Sequence, residues 1–343
     1  MEKLIRYTAN DLARYTNHRS GEIKFGEKMQ TVPKDADLHS FLMSSEALYV
    51  IFGIPEDIGI RANFGRPGSS SAWESAVRHL CNVQHNRYCK GSRIIMLGHL
   101  MVEKEMAEAA SLDLSKTSDR KQLMMLVEVI DKEVSHIVSV IVKAGKIPII
   151  IGGGHNNAYG NIKGTALAKG RQVNAINFDA HTDFRMLEGR HSGNGFSYAF
   201  EEGFLKRYFI FGLHENYTPK SVLDRLKAED RIRFNSYDEI AIRNQRDFGD
   251  EIEYAFDFIK HDSYGIEIDL DAIPGIASSA MTISGFSVEE LRRFTSFFAA
   301  HENAAYLHIC EGAPDLAEEK QANLIGKLIG YLVTDFIKSN SSL

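Results

Sequence analysis

The feature that most constrains this chain is the recurrence of short, almost wholly apolar runs along most of its length. Seven stand out: ALYVIFGI (47–54), RIIMLGHL (93–100), KIPIIIGGG (146–154), VNAINFDA (173–180), RYFIFGL (207–213), YGIEIDLDAI (264–273) and AAYLHICEG (304–312). A strand with one wet face alternates apolar and polar residues. These runs do not, so each strand is expected to be covered on both faces. Between them lie segments with helical spacing at 70–84, 116–144, 156–169, 219–228, 237–260, 287–302 and 318–337. SVEELRRF opens one of these with Ser287 as N-cap and Glu290 three residues on, the pattern of a capping box. Strands alternating with helices predict a mostly parallel sheet in a three-layer α/β/α sandwich. No Pro/Ser-rich linker, repeat or low-complexity tract interrupts the pattern, so one domain over 1–343 is expected. Residues 1–45, including TNHRSGEIKFGEKMQT, are less regular and are expected to wrap the sheet edge or help build the site.

Composition excludes more than it assigns. A net charge of −6, with 44% hydrophobic and 25% charged residues, is ordinary for a soluble globular protein. It offers no basic surface for nucleic acid or an acidic membrane, so neither is expected as a partner. The polar N-terminus MEKLIRYTAND lacks the apolar core of a secretory leader. No apolar run approaches the roughly 18 residues a membrane span needs. Cys81, Cys89 and Cys310 are odd in number and form no spaced framework, so a reducing, cytoplasmic setting is expected.

In an open parallel sheet, ligands bind at the carboxyl ends of the strands. The candidates are therefore the residues that close each apolar run. IPIIIGGGH ends in His155, AINFDAHTD in Asp179, His181 and Asp183, YGIEIDLD in Asp269 and Asp271, and YLHICEG in Glu311. Singly, each has an ordinary explanation. A Gly-rich run before a His is commonly a strand-to-helix turn. It can also cradle a phosphate, but GGGH lacks the Lys and Ser/Thr of a P-loop. Asp-x-Asp at a strand end is commonly a cap. Asp179-x-His181-x-Asp183 is more specific, because a period of two puts the three side chains on one face of a continuing strand. Together, four carboxylates and two imidazoles would be a severe cluster of like charge without cations. They suit two divalent ions sharing bridging carboxylates, and oxygen donors with imidazole favour Mn²⁺ over zinc. Two such ions about 3.5–4 Å apart can hold and deprotonate a water for hydrolysis, with no protein nucleophile.

GGGH, DAHTD and the DLD of EIDLDAIP, in this order and at these separations, resemble the motifs of the arginase/agmatinase/formimidoylglutamase (ureohydrolase) family. The resemblance covers most of the chain. FGIPEDIGIRANFGRPGSSSAWESAVRHL is similar to the family's first strand and Gly/Arg/Asn-rich loop, and HICEGAP to its acidic strand end. It implies an arginase-like α/β/α fold, a small-molecule amidine or guanidine substrate, two Mn²⁺ per subunit and a homo-oligomer. Residue by residue, it implies that His155, Asp179, Asp183 and Asp269 hold one manganese. Asp179, His181, Asp269 and Asp271 hold the other, with Asp179 and Asp269 bridging. Glu311 then grips a cationic amidine nitrogen, and Asp183 moves the proton of the attacking water.

Departures from the motifs place the branch closest to formimidoylglutamase. Arg185 stands two residues past Asp183, as in the DAHxDxR of formimidoylglutamases, where arginase-like members are neutral. A fork-shaped cation suits a substrate carboxylate and repels the dication agmatine. The alternative is an Arg that only orients Asp183. In HSGNGFSYA, Phe196 stands where arginase-like members carry a proton-shuttling His. Formimidoylglutamases lack that His too, in an SGTPF-like segment, although Asn194-Gly195 replaces its Thr-Pro here. His191 could substitute for the missing shuttle but reads as a loop residue. EGAP in place of the commoner Glu-Asn-Pro, and DLDAIPG without a downstream Asp-Pro, also lead away from arginases. The reaction this implies is hydrolysis of N-formimino-L-glutamate to L-glutamate and formamide, a step of histidine degradation. Asn194, Arg61 and Asn63, with Arg66, are candidate substrate contacts, against the alternative that they brace the loop. His214 is a further candidate for the pocket wall, and Cys310 reads as packing. Two other readings remain: an arginase-, agmatinase- or guanidinobutyrase-like hydrolase releasing urea, and a catalytically silent metal-binding relative.

Overall fold

The computed structural model describes residues 3–340, so the two ends of the expected 1–343 domain lie outside the described residues. The strands are Leu4–Arg6 (β1), Tyr49–Gly53 (β2), Ile94–Leu100 (β3), Ile147–Ile151 (β4), Val173–Phe178 (β5), Leu205–Leu213 (β6), Ile232–Ser236 (β7), Tyr264–Asp269 (β8) and Ala304–Cys310 (β9). They form one sheet in the order β1-β3-β2-β4-β9-β8-β5-β6-β7. Only the β1–β3 pair is antiparallel.

Successive residues feed opposite cores, which is why the runs read as continuous. Tyr49, Ile51, Ile149, Ile151, Ile176 and Phe178 enter one apolar cluster; Val50, Phe52, Ile150 and Ala175 enter the other. Helices Ala72–Leu80, Phe248–Ile259, Val288–Ala299 and Glu319–Asn340 bury their apolar faces in the first cluster. Thr117–Lys143, Ala158–Lys169 and Gly195–Glu201 do so in the second. The chain thus adopts the expected three-layer α/β/α sandwich.

The topology places the site. After β4 the chain skips two positions to β5 and runs outward through β6 and β7. It then returns to fill the gap with β8 and β9. The four strands that end in candidate ligands are therefore consecutive, β4-β9-β8-β5, and the switch in winding falls among them. A crevice at the carboxyl ends is expected there.

Three departures from the sequence reading have local causes. β1 and β7 lie at the two sheet edges, and neither makes an apolar run: one is LIR, the other IRFNS. The helix expected over 237–260 is broken. A π-helical turn at Asp238–Ile242 is followed by Asn244 at φ 48°, and Asp247 then caps a new helix by accepting from Gly249 N and Asp250 N at 2.7 and 3.2 Å. The apolar spacing runs through this break, but the Asp side chain competes locally with the helix. Residues 3–45 hold more structure than expected, with β1 and the helices Ala9–Tyr15 and Leu38–Ser44.

The capping box at Ser287 is present: Ser287 Oγ accepts from Glu290 N at 3.1 Å, and Glu290 Oε2 accepts from Ser287 N at 2.7 Å. Ser287→Ala is expected to lower the unfolding free energy by about 1 kcal/mol. The check is a lower denaturant midpoint at unchanged slope, with activity unaffected.

Candidate metal centre

β4 hands over to its helix through Gly152 and Gly153 at φ 90° and 76°, a conformation that favours glycine. The turn carries the His155 ring over the ends of β5 and β8. Its Nδ1 stands 3.3, 2.9 and 3.2 Å from carboxylate oxygens of Asp179, Asp183 and Asp269. His181 Nδ1 stands 3.5 Å from Asp179 Oδ1 and 3.4 Å from Asp271 Oδ1. Two groups, His155/Asp179/Asp183/Asp269 and Asp179/His181/Asp271, could therefore each hold a cation, with Asp179 common to both. Asp269 joins the first group through Oδ2, while its Oδ1 accepts from Asp271 N at 2.8 Å.

The electrostatics suit the cations. Burial raises the pKa values of Asp183, Asp269 and Glu311, and neighbouring carboxylates add to the effect: Asp179 beside Asp183, Asp271 beside Asp269 and Glu311. Asp179 is equally buried, yet His155 and His181 hold it below the usual carboxylate range. Burial also opposes charge on the two rings. His155, beside Cys310 and three carboxylates, and His181, beside Asp271 and Asp179, are nevertheless pushed well above the ordinary value. Asp271 Oδ1 is buried without a hydrogen-bond partner. An orphaned carboxylate oxygen, an oxygen-rich donor set and two imidazoles facing inward by Nδ1 fit hard or borderline divalent ions.

The two residues expected to act on substrate are both held in left-handed backbone: Asp183 at φ 41° and Glu311 at φ 62°. That conformation costs about 1–3 kcal/mol and persists where the surroundings over-determine it. Glu311 donates from N to Gly153 O at 3.1 Å and accepts from His155 N at Oε1 at 2.8 Å. Next to Asp183, Thr182 O accepts from Tyr208 OH at 3.0 Å. Glu56, which the sequence reading passed over, is fully buried. It accepts from Gly154 N, Asn157 Nδ2 and Ile58 N at 3.2, 2.6 and 2.7 Å. It ties the loop after β2 to the GGGH turn; an acid closing the apolar FGIPED was its only signal in the sequence.

A cavity of about 460 Å³ opens over the cluster and is lined by Glu311, Asn63, Arg185, Glu188 and Tyr217 as well as His181, Asp183, Asp269 and Asp271. Arg185 is the only Lys or Arg among its described lining residues. Its Nη1 donates to Asn63 Oδ1 at 2.7 Å and its Nη2 to Glu188 Oε1 at 2.8 Å.

Several expected contacts lie elsewhere. Asn194 does not line the cavity: it is fully buried, and its side chain is hydrogen-bonded within the loop. Its Oδ1 accepts from Arg190 Nη1 and His191 N at 2.6 and 3.1 Å, and its Nδ2 donates to Gly189 O at 2.8 Å. Arg61 is outside the cavity, its Nη2 reaching Leu112 O at 3.5 Å. Arg66 donates to the backbone oxygens of Ser278 and Ser279. His191 is buried, with Nδ1 accepting from Gly193 N at 3.1 Å; burial and Arg185 push its pKa down to about 4. Phe196 stacks on Tyr208 at a ring distance of 4.3 Å and meets His155 edge-on at 5.1 Å. His214 is buried in a stack between Tyr217 and Tyr237. Cys310 is buried, as expected of a packing residue.

Comparison with known proteins agrees with this geometry. The sequence profile of the arginase family matches residues 47–334. The formimidoylglutamase of Chromobacterium violaceum is 26% identical over 251 residues, covering 70% of this chain and 71% of that one. That of Rhodococcus jostii is 23% identical over 298 residues, covering 83% and 85%. Among solved structures, formimidoylglutamase from Bacillus subtilis has the same fold, with a TM-score of 0.73 at 16% identity, covering 95% of each chain. A formiminoglutamase of Trypanosoma cruzi solved with Mn²⁺ gives 0.70 at 18% identity, covering 93% of this chain and 98% of that one.

Proposed function

The chain belongs to the arginase family, and from that premise we propose that it is a binuclear manganese amidinohydrolase that converts N-formimino-L-glutamate and water to L-glutamate and formamide. The observation that carries this reading is the cavity itself: six ligand-type side chains from the ends of β4, β8 and β5 lie beneath a pocket whose one described Lys or Arg is Arg185. The names of the curated relatives and the Mn²⁺ in the Trypanosoma cruzi protein support it.

His155, Asp179, Asp183 and Asp269 would hold one ion; Asp179, His181, Asp269 and Asp271 would hold the other. When bound, such a pair supplies Lewis-acid charge and lowers the pKa of a shared water to about 7. In the reaction an O–C bond forms at the formimino carbon and the bond to the glutamate nitrogen breaks. Glu311 accepts a hydrogen bond from the amidinium nitrogen, which strengthens as the tetrahedral centre develops. Asp183 Oδ takes the proton of the attacking water and passes it on, and the glutamate nitrogen leaves protonated without a His at position 196 to serve it. Arg185 spends one donor on Asn63 and one on Glu188; three of its five N–H donors remain for a substrate carboxylate. The same reading takes the chain as one catalytic domain that works as a cytoplasmic homo-oligomer. No helix among the described residues is long and apolar enough to cross a membrane.

The decisive experiment is product analysis with formiminoglutamate, arginine, agmatine and guanidinobutyrate. Formamide from the first, with little urea from the rest, is expected. Dominant urea release overturns the choice of substrate, and no product from a metal-loaded protein leaves the silent relative.

Metal binding should also be pH-linked. The carboxylates around them push both ligand imidazoles well above their ordinary value of 6.5, so metal must displace protons. A proton with a raised pKa competes to higher pH, so affinity should rise with pH through 6.5 and beyond. Adding Mn²⁺ to metal-free protein in weak buffer near neutrality is expected to release protons, and Kd to tighten between about pH 6 and about pH 8. A Kd independent of pH would contradict the ligand assignment.

A further inference from the structure

His155 has a second ring edge, and the group facing it is outside the ligand set. Nδ1 points at Asp179, Asp183 and Asp269, whereas Nε2 is buried without a hydrogen-bond partner. The acceptor facing Nε2 is Glu267 Oε2, at 3.6 Å. With a cation among the three carboxylates, Nδ1 must offer its lone pair, and the ring proton then sits at Nε2, where Glu267 is the carboxylate that faces it.

Glu267 is firmly held. Its Oε1 accepts from Tyr306 OH at 2.7 Å and its Oε2 from His308 Nδ1 at 2.5 Å. Its neighbours are set by the sheet: Glu267 on β8 is in register with His308 on β9, and Tyr306 lies two residues earlier on the same face. Gly265 makes the room, since a Cβ there would fall 2.0 Å from the Tyr306 ring. His308 Nε2 lies 3.4 Å from the backbone oxygen of Gly152, in the turn that delivers His155. Glu267, Tyr306 and His308 are all 0% exposed. Among the described residues His181 has no comparable partner: its side chain is 30% exposed, and its ring stacks on Tyr217 at 5.3 Å.

We propose that Glu267, fixed by Tyr306 and His308, is a positioning residue that receives the Nε2–H of His155 and so presents Nδ1 as a metal ligand. The proposal rests on the reading of His155 as a ligand. It predicts an asymmetric effect, because only one of the two ions depends on this ring. Outer carboxylates of this kind are worth about 10- to 100-fold in metal affinity.

The test is Mn²⁺ titration of metal-free protein by calorimetry, with both sites resolved, alongside the unfolding midpoint of the metal-free form. Glu267→Gln keeps the shape and loses an acceptor. It is expected to weaken one ion by about 10- to 100-fold and leave the other within about twofold. Tyr306→Phe, a gentler change that only loosens Glu267, is expected to weaken the same ion by less than about tenfold. Parental affinity for both ions in both variants overturns the proposal, as does equal weakening of both ions, which marks general loosening of the core. Should Glu267→Gln not fold, Tyr306→Phe alone decides by the same criteria. His155→Ala separates the two failures. Unchanged binding in that variant defeats the ligand assignment and the proposal with it. Loss of one ion there, with parental binding in Glu267→Gln, overturns the proposal alone.

Discussion

Asp179→Ala is expected to yield a folded protein that carries neither metal ion and turns over about a thousandfold more slowly, or worse. Asp179 is common to both groups that the structure brings together, and in the proposed assignment it shares the two ions with Asp269. Its Oδ2 lies 3.3 Å from His155 Nδ1 and its Oδ1 3.5 Å from His181 Nδ1, so one side chain serves both rings. Its geometry is fixed by Asn177 Nδ2 at 2.9 Å on one oxygen and by His181 N at 2.7 Å on the other. Removing it would take a ligand from each ion and leave Asp269 alone to serve both. Lewis-acid stabilisation by bound metal is worth several kcal/mol; about 4 kcal/mol at about 1.4 kcal/mol per tenfold gives the stated loss. His155→Ala takes a ligand from one ion only, so it should retain the other. The metal-free fold should tolerate Asp179→Ala, because the Asp179 charge raises the cost of ionising Asp183 and Asp269. Metal quantitation on the purified variant, with its unfolding midpoint, checks this. Two ions per chain in Asp179→Ala would sink the shared-ligand assignment.

The candidate ligands were legible in the sequence for a physical reason. A run such as AINF must end where the chain leaves the sheet, and polar residues gathered at several such ends can meet only if the sheet is parallel. His155, Asp179, His181, Asp183, Asp269, Asp271 and Glu311 all announce themselves in that way. What surrounds them did not. Glu267 and His308 sit inside apolar runs, where a polar residue reads as an exception rather than as half of a cross-strand pair; the pairing becomes visible only with the β8–β9 register. Asn194 erred in the other direction. A small polar residue in a Gly-rich loop looks available, yet its four hydrogen bonds hold the loop from Met186 to His191. Arg61 likewise reads as a free cation in a loop, but the short helix Ile58–Ala62 turns it toward Leu112. Spacing reveals which residues share a strand end; it does not reveal which hydrogen bonds they have already made.

Arg185 is where that limit bears on specificity. The reading as a formiminoglutamate hydrolase needs its guanidinium to take a substrate carboxylate, yet the side chain already pairs with Glu188 and Asn63. Both partners line the cavity, so they orient the guanidinium within it rather than remove it. Its backbone is fixed separately, through Arg185 N to Gly193 O at 3.0 Å. A hydrogen bond to a charged group contributes about 1.5–3 kcal/mol, or about 10- to 150-fold in kcat/KM. The side chain is 48% exposed, so screening favours the lower end of that range. Arg185→Met is expected to cost this much on formiminoglutamate, to leave a carboxylate-free formamidine far less affected, and to keep both ions. Arg185→Lys should recover only part, since a point charge cannot reproduce the fork. Glu188→Gln should act in the opposite direction, lowering KM for formiminoglutamate, because a carboxylate that competes for the same guanidinium is gone. If Arg185→Met slows both substrates equally, or if metal is lost with it, Arg185 serves to brace Asp183 and its loop. The cavity would then hold no described Lys or Arg to select an anionic amidine over a cationic guanidine, and substrate choice would have to come from its shape.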